Sequence, residues 1–340
     1  MSNIKYPSTN QFRQVVKTMK TQLEYDHYNP ETQEHVTKIP ETYVIPYIGT
    51  VKIHGTNGSV LFRSETDFIF QSKAQQVDIG KDNAGFAAFM HRKDMDLLLA
   101  RVRKVCDDHN VTFEFPVEIA GEWAGRGIQK GVAVTEVEPF FAVFRVAVGE
   151  RPNGGLKWLP TDIIGPVSDN ENRIFNILQF GFVPLEIDFE NPQNVQNTLV
   201  SLTEEAEKEC PAGKFFGVSG IGEGYVWTPA DPSLAIDSGL WFKVKGDKHS
   251  VSKVKTLAAV DPERMANIAE FVEYAVTENR LEQALGEVGL DKTKIGEFVK
   301  WMSTDILKEE GDVMEASALT MKDVGKNISD KSRKWYMAKL

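Results

Sequence analysis

The hydrophobic periodicity of the chain changes near residue 250, and this change limits the folds that the chain can adopt. Before it, residues 59–63 and 68–73 flank a polar turn, as in a β-hairpin. After it, Ile268, Val272 and Val276 recur at helical spacing. The chain has 340 residues, which is more than one hydrophobic core usually supports. We therefore predict a mixed α+β domain over residues 1–248 and a small all-α domain over residues 249–340.

The local patterns predict individual elements within these domains. Helices are predicted around residues 11–23 and 84–106, strands over 117–123, 140–148, 224–228 and 240–244, and a mixture of helices and loops over 160–210. In the second domain, Asp261-Pro262-Glu263 is typical of a helix start. Further helices are predicted over 281–288 and 295–307.

Composition and charge exclude several classes of protein. No apolar run approaches the roughly 20 residues that span a membrane, and the first residues lack a signal-peptide pattern. Cys106 and Cys210 are far apart, which argues against a disulfide framework or a zinc site. The net charge of −10 is unusual for a nucleic-acid-binding protein, although lysines cluster over 243–255 and in the tail. We expect a cytoplasmic protein, in the host cytoplasm if a phage encodes it.

One lysine, Lys52, stands between Val51 and Ile53 and is followed at once by His-Gly-Thr-Asn-Gly. Aliphatic neighbours can lower the pKa of an ammonium group, because burial disfavours the charged form. A neutral amine is a nucleophile, and glycines let the backbone approach a ligand closely. The segment therefore predicts a covalent lysine beside a phosphate-bearing substrate. The structural alternative is a core strand that ends in a hairpin turn at Asn57-Gly58.

Four further segments follow this lysine along the chain. In order, the five read Lys52-Ile53-His54-Gly55, Gly121-Glu122-Trp123-Ala124-Gly125, Phe141-Ala142-Val143-Phe144, Gly222-Glu223-Gly224 and Phe242-Lys243-Val244-Lys245. Each alone has a structural explanation, such as a surface acid, a core aromatic or a half-exposed strand with solvated lysines. Their order and spacing resemble the covalent nucleotidyltransferase superfamily of ATP-dependent ligases and mRNA capping enzymes. The Lys-x-His-Gly-Thr-Asn opening and the Gly-Glu-x-Ala-Gly-x-Gly-Ile-Gln run resemble its phage-type RNA ligase 2 family.

This resemblance implies a fold and a reaction. The fold would be α+β, a nucleotidyltransferase with ATP-grasp-like antiparallel sheets and flanking helices, followed by a small all-α C-terminal domain. Lys52 would attack the α-phosphate of ATP, release pyrophosphate and leave a lysyl-AMP phosphoramidate. Lys243 and Lys245 would neutralise phosphate charge, and Glu223 would bind Mg²⁺ or Mn²⁺.

The resemblance also assigns roles to single residues. Glu122 would hold the ribose hydroxyls, Phe144 would stack on adenine, and His54 and Thr56 would face the phosphates. The predicted catalytic residues are Lys52, His54, Lys243 and Lys245. The predicted nucleotide-binding residues are Ile53, Thr56, Asn57, Lys73, Glu122, Phe144, Glu223, Lys243 and Lys245.

In the C-terminal domain, Arg280 and Asp305 match positions that assist transfer to RNA in the family. The alternative for this pair is an inter-helix salt bridge. The chain also departs from the family pattern, since Val51 replaces a glutamate, Lys73 an arginine and Arg145 an aspartate. Lysine supplies charge but lacks the bidentate fork of arginine.

These features predict an ATP-dependent RNA ligase that joins 3′-hydroxyl and 5′-phosphate RNA ends, by way of lysyl-AMP and RNA-adenylate intermediates. The resemblance implies a preference for nicks in duplex RNA, and we expect a monomer without membrane association. The alternatives are another covalent nucleotidyltransferase, either a DNA ligase or a capping enzyme, and a non-catalytic RNA-binding protein.

Overall fold

The chain divides into two compact units. The computed structural model describes residues 5–73, 75–152, 154–246, 268–317 and 319–340. The first unit comprises Met1–Asn10 and Val15–Val244, and the second comprises Gln11–Gln14 and Lys245–Leu340. The second unit therefore includes a short segment from the beginning of the chain. The predicted domain boundary at residue 248 and the predicted helix start at Asp261-Pro262-Glu263 lie outside the described residues.

The first unit is built on β-sheets. The described strands are β1 Asn10–Gln11, β2 Tyr25–Asn29, β3 Glu34–Thr37, β4 Val44–Val51, β5 Thr56–Phe62, β6 Phe68–Ser72, β7 Gln76–Val77, β8 Val117–Ala124, β9 Phe140–Glu150, β10 Leu156–Trp158, β11 Ile174–Asn176, β12 Phe182–Asp188, β13 Gly224–Pro229 and β14 Phe242–Lys245. A five-stranded sheet has the order β1-β14-β13-β4-β12. A seven-stranded sheet has the order β10-β9-β8-β5-β6-β7, with β11 paired to β9, and β2 pairs with β3.

Helices accompany these strands. They are α1 Phe12–Glu24, α2 Phe86–Met90, α3 Met95–Asp108, α4 Gln193–Lys208, α5 Pro211–Phe215 and α6 Pro232–Ala235. The helix predicted over residues 84–106 is divided into α2 and α3. Asp94 begins α3 as its N-cap, because its carboxylate accepts a 2.9 Å hydrogen bond from the Leu97 N–H.

The seven-stranded sheet has one apolar and one polar face. Val117, Ile119 and Trp123 of β8 pack into a core that also contains α2 and α3. The alternating residues Glu118, Ala120 and Glu122 lie on the opposite face. This second face, which we call the polar face, carries two carboxylates where a purely structural sheet would bury apolar side chains.

Two features of the first unit were missed from the sequence. β12 pairs with β4 over seven residues, from Phe182 opposite Thr50 to Asp188 opposite Val44. It was read as part of a helix-and-loop region because Pro184 interrupts its pattern, and proline is tolerated in edge strands. The β2–β3 hairpin lies in a polar stretch without apolar alternation, so its pattern also gave no signal.

The second unit is helical where the structure describes it, as predicted. Its helices are α7 Ile268–Ala275, α8 Glu278–Val288, α9 Ile295–Ala316 and α10 Met321–Lys339. Phe271, Phe298, Met302, Ile328 and Tyr336 are among the residues of its core. The mixed α+β class with a C-terminal helical region is thus confirmed. None of the described helices is both long and apolar enough to span a membrane.

Candidate functional site

Lys52 lies where the chain passes from one sheet to the other. β4 belongs to the five-stranded sheet and β5 to the seven-stranded sheet, so residues 52–55 connect them. The Lys52 N–H donates a 2.8 Å hydrogen bond to the Gly224 carbonyl, which fixes the lysine beside the start of β13. Asn57 and Gly58 lie within β5, opposite Glu122 and Gly121. The alternative of a hairpin turn at Asn57-Gly58 is therefore wrong.

The lysine side chain forms an ion pair with Glu223. The distance from Lys52 Nζ to Glu223 Oε2 is 2.7 Å, and Glu223 is only 4% exposed. His54 Nδ1 lies 3.4 Å from the same carboxylate oxygen. The structure thus brings together Lys52 and His54 of the first segment and Glu223 of the fourth, which lies 171 residues from Lys52.

The charge state of Lys52 differs from the expectation. Burial lowers its pKa, but the carboxylates of Glu223 and Glu122 raise it, and the net effect is a pKa above the usual value. The prediction of a lowered pKa considered only Val51 and Ile53 as neighbours, and it is wrong because the two carboxylates outweigh the effect of burial. Lys52 is therefore an ammonium ion here, and it must lose a proton before it can act as a nucleophile.

Glu122 is the second carboxylate of the site. It is half-buried on β8, opposite Asn57 of β5 and Ala142 of β9. Burial raises its pKa to about 7, an effect that the nearby charge of Lys52 partly opposes and that of Glu223 reinforces. Lys73, which is exposed beyond the end of β6, also lowers this pKa, so its charge acts on the site as well.

Close backbone approach fixes the loop after Lys52. A Cβ atom on Gly55 would lie 2.2 Å from the Trp123 carbonyl oxygen, so only glycine fits there. Asn83 holds the next two residues, because its Nδ2 donates to Thr56 Oγ1 at 2.9 Å and to the Asn57 carbonyl at 3.1 Å. No sequence pattern points to Asn83, since it lies 27 residues from Thr56 in an irregular segment.

Phe144 occupies a β-bulge. Ala120 is paired with Arg145 and Gly121 with Val143, so Phe144 between them has no opposite residue on β8. A bulge changes the direction of a side chain and interrupts the alternation of a strand. The Phe144 ring is half-buried and packs against two clusters, one containing Ile53 and the other containing Tyr6. The bulge explains why Phe144 is only half-buried in a strand whose Phe140 and Phe141 are fully buried.

Lys243 and Lys245 lie on β14, two strands from β4 in the five-stranded sheet. Both are half-buried and alternate with the buried Phe242 and Val244. Their ammonium groups therefore project from the same face of the strand, as the alternation in the sequence predicted.

The carboxylates of the site are compatible with a divalent cation. Among the described residues, no group of three or more His, Cys, Asp or Glu side chains is arranged to hold a metal ion. Mg²⁺ commonly binds through one or two carboxylates together with phosphates and water, rather than in an all-protein cage. Glu223 can supply such a carboxylate, and the charge of Glu223 also acts on the carboxylate of Glu122.

Arg280 and Asp305 belong to the second unit and form an ion pair there. Arg280 is fully buried, its Nε donates to Asp305 at 2.9 Å, and its Nη2 donates to Glu310 at 2.9 Å. Glu310 also accepts 2.8 Å and 2.7 Å hydrogen bonds from Arg13 and the Tyr274 hydroxyl. The inter-helix salt bridge that we considered as an alternative is therefore present, and a role in RNA transfer stays a prediction.

Glu118 on the polar face leads to a prediction about stability. It is fully buried, and burial raises its pKa to about 7, although the Ser59 hydroxyl nearby lowers this pKa in part. The folded state therefore binds the Glu118 proton more tightly than the unfolded state. This contribution is complete below pH about 4.5 and is lost as the pH rises through about 7.

We expect the Glu118→Gln variant to be less sensitive to this pH change than the wild type. The variant should gain stability relative to the wild type as the pH rises, by an amount on the order of 3 kcal/mol at most. Denaturant unfolding at pH 4.5, 6 and 8 measures the difference. The same offset between the two proteins at every pH would show that Glu118 titrates normally.

Comparisons with known proteins identify the family of the chain. The sequence family described as RNA ligase matches residues 45–245, which is more than half of the chain and includes all five segments. A search of curated proteins found no match.

Solved structures of a Naegleria gruberi RNA ligase are also similar. A lysine-to-alanine mutant with ATP and Mn has a TM-score of 0.41 at 12% identity, and the ligase with PPi has a TM-score of 0.39 at 11% identity. Each match covers 72% of this chain and 56% of the other. The chain thus spans little more than half the length of those ligases. The match over residues 45–245 shows that the chain belongs to the RNA ligase family.

Proposed function

We propose that the protein is an ATP-dependent RNA ligase that works through a covalent lysyl-AMP. The observation that carries this proposal is the pairing of the half-buried Lys52 with the buried Glu223 at the connection between two sheets, in a chain of the RNA ligase family. The connection that follows this lysine is fixed by the close approach of Gly55 to the Trp123 carbonyl and by the hydrogen bond from Asn83 to the Asn57 carbonyl.

In the first step, the Lys52 amine attacks the α-phosphorus of ATP. A P–N bond forms, the bond to pyrophosphate breaks, and the ammonium proton leaves before the attack. Glu223 Oε2, at 2.7 Å, is the oxygen best placed to accept that proton. Lys243 and Lys245 supply positive charge for the leaving pyrophosphate, and His54 lies beside the same carboxylate as the nucleophile.

The nucleoside occupies the surface between Glu122 and Phe144. Glu122 accepts hydrogen bonds from the ribose hydroxyls, and the half-buried Phe144 ring stacks on adenine. When bound, Mg²⁺ or Mn²⁺ neutralises phosphate charge, and Glu223 is the residue that would hold it. Ile53, Thr56 and Asn57 shape the wall next to Lys52.

Two further steps complete the ligation. The 5′-phosphate of RNA takes the AMP from Lys52, and a 3′-hydroxyl then attacks that phosphate and displaces AMP. We propose a nick in duplex RNA as the substrate. Duplex RNA is recognised through its shape and its 2′-hydroxyls. The exposed cations Lys322, Lys326 and Arg333 of α10 can bind backbone phosphates.

Sealing assays test the substrate. We expect joining of nicked duplex RNA with ATP and magnesium, measured as a longer strand on a denaturing gel. Efficient joining of a DNA 3′-hydroxyl strand would indicate a DNA ligase, and a requirement for GTP would indicate a capping enzyme. RNA binding without any nucleotide transfer would support a non-catalytic RNA-binding protein.

An RNA strand that already carries a 5′-adenylate tests the final joining step separately from the two steps that involve Lys52. The Lys52→Ala variant should seal RNA that already carries a 5′-adenylate, because that strand bypasses the nucleophile. It should fail with ATP and a 5′-phosphate. If the variant fails with both strands, the lysine has a role other than covalent transfer.

A further inference from the structure

Tyr6, near the beginning of the chain, lies in an aromatic cluster on the polar face. It is 9% exposed, and its ring centroid is 5.5 Å from that of Phe144 at an interplanar angle of 58°. Trp158 and Trp241 surround the same ring at 5.5 Å and 6.3 Å. Phe144 therefore packs on one side against a residue that belongs to none of the five segments.

The sheet is shaped to receive this tyrosine. Ala120 and Ala147 are fully buried and belong to the same cluster as the Tyr6 ring. Glu118 is paired with Ala147 and Arg145 with Ala120, so both charged side chains flank these small residues on the polar face. Two alanines between a buried acid and a buried arginine leave space for a ring.

Backbone hydrogen bonds hold the segment around Tyr6 at both ends. The Tyr6 N–H donates to the Lys73 carbonyl at 3.0 Å. The Asn10 N–H donates to the Trp241 carbonyl at 3.0 Å, and Asn10 Nδ2 donates to the Gly239 carbonyl at 2.8 Å. Residues 6–10 therefore connect the end of β6 to the start of β14, and Tyr6 contacts two predicted nucleotide-binding residues, Lys73 and Phe144.

We propose that Tyr6 is a positioning residue of the nucleotide site, which holds the Phe144 ring in the orientation that stacks on adenine. Phe144 lies on a bulge and is only half-buried, so its own strand does not fix its ring plane. Tyr6 supplies a wall against this ring at a centroid distance of 5.5 Å, and the half-buried ring also packs against the cluster that contains Ile53. This inference rests on the proposed function, since it assigns Tyr6 to ATP binding and not to phosphate chemistry.

The test is the ATP dependence of self-adenylylation in Tyr6→Leu and Tyr6→Phe. We expect Tyr6→Leu to raise the KM for ATP by about three- to tenfold, the effect of one aromatic pair, with a smaller change in kcat. Tyr6→Phe keeps the ring and should restore the wild-type KM. If Tyr6→Leu is insoluble, Tyr6→Met has a similar volume without a ring face and should show the same increase.

Two controls separate positioning from stability. Phe189→Leu removes a buried ring that packs on Tyr47 in the same unit, and its KM for ATP should stay at the wild-type value. In a Phe144→Leu background, Tyr6→Leu should change the KM by less than about twofold, because the ring through which it acts is absent. Full, additive effects in that background would overturn the proposal.

The results also distinguish this inference from the proposed function. If the wild type is labelled by ATP but the KM of Tyr6→Leu is unchanged, only the role of Tyr6 is refuted. If the wild type forms no covalent adduct with AMP, the ligase mechanism itself is refuted.

Discussion

Replacing Lys52 with alanine is expected to abolish covalent labelling of the protein by ATP that carries a labelled α-phosphate. The decrease should be a factor on the order of 10³ or more, as when other covalent enzymes lose their nucleophile. Lys52 carries the amine that forms the P–N bond, and its partner Glu223 is a carboxylate, which cannot replace it. A denaturing gel measures the adduct, which should be labile in acid and migrate near 38 kDa.

Two matched variants make this result specific. Lys52→Arg keeps the positive charge opposite Glu223, but a guanidinium stays protonated and cannot attack, so this variant should also be unlabelled. Lys157→Ala removes an exposed lysine paired with Glu114 and should be labelled like the wild type. Labelling of Lys52→Arg at the wild-type level would show that another residue carries the AMP.

Replacing Arg280 is expected to destabilise the second unit. The guanidinium is fully buried, and its donors reach Asp305, Glu310 and the Ala275 carbonyl. Removing one partner of a buried ion pair typically costs about 3–5 kcal/mol, because the remaining charges lose their compensation. Arg280→Lys should lower the free energy of unfolding nearly as much as Arg280→Leu, since a lysine ammonium cannot donate to all three acceptors in this geometry.

Hydrogen exchange measured by mass spectrometry can resolve this effect by segment. We expect faster exchange in α7 to α10 and unchanged exchange in β8 and β9. Lys331→Met removes an exposed ion pair with Glu273, and its free energy of unfolding should lie within about 1 kcal/mol of that of the wild type. Lost RNA sealing by Arg280→Lys with unchanged exchange would instead support a direct role in the RNA step.

Features that depend on short sequence patterns could be predicted correctly from the sequence alone. Lys243 and Lys245 alternate with Phe242 and Val244, and the strand shows the same alternation. The helical region after residue 268 was also predicted from its apolar stripe, because helical packing leaves a regular spacing. Cys106 and Cys210 are buried free thiols, as their spacing suggested.

Features that depend on tertiary contacts could not be predicted in this way. The pKa of Lys52 depends on two carboxylates that are distant in sequence, one of them 171 residues away at Glu223. Asn83 and Tyr6 belong to no motif, and only folding places them beside Thr56 and Phe144. The bulge at Phe144 follows from the pairing of β8 with β9, which a single strand does not reveal.

The short segment Gln11–Gln14 has a consequence for how the chain is synthesised. Arg13 forms an ion pair with Glu310, and the Gln11 side chain binds Glu309, contacts that span 297 and 298 residues. During translation, Gln11 and Arg13 leave the ribosome long before Glu309 and Glu310 are synthesised. The second unit therefore cannot complete its polar core until synthesis is nearly finished. A fragment that begins at Lys245 would leave the two acids without these partners, so the N-terminal segment must accompany it in any dissection of the protein.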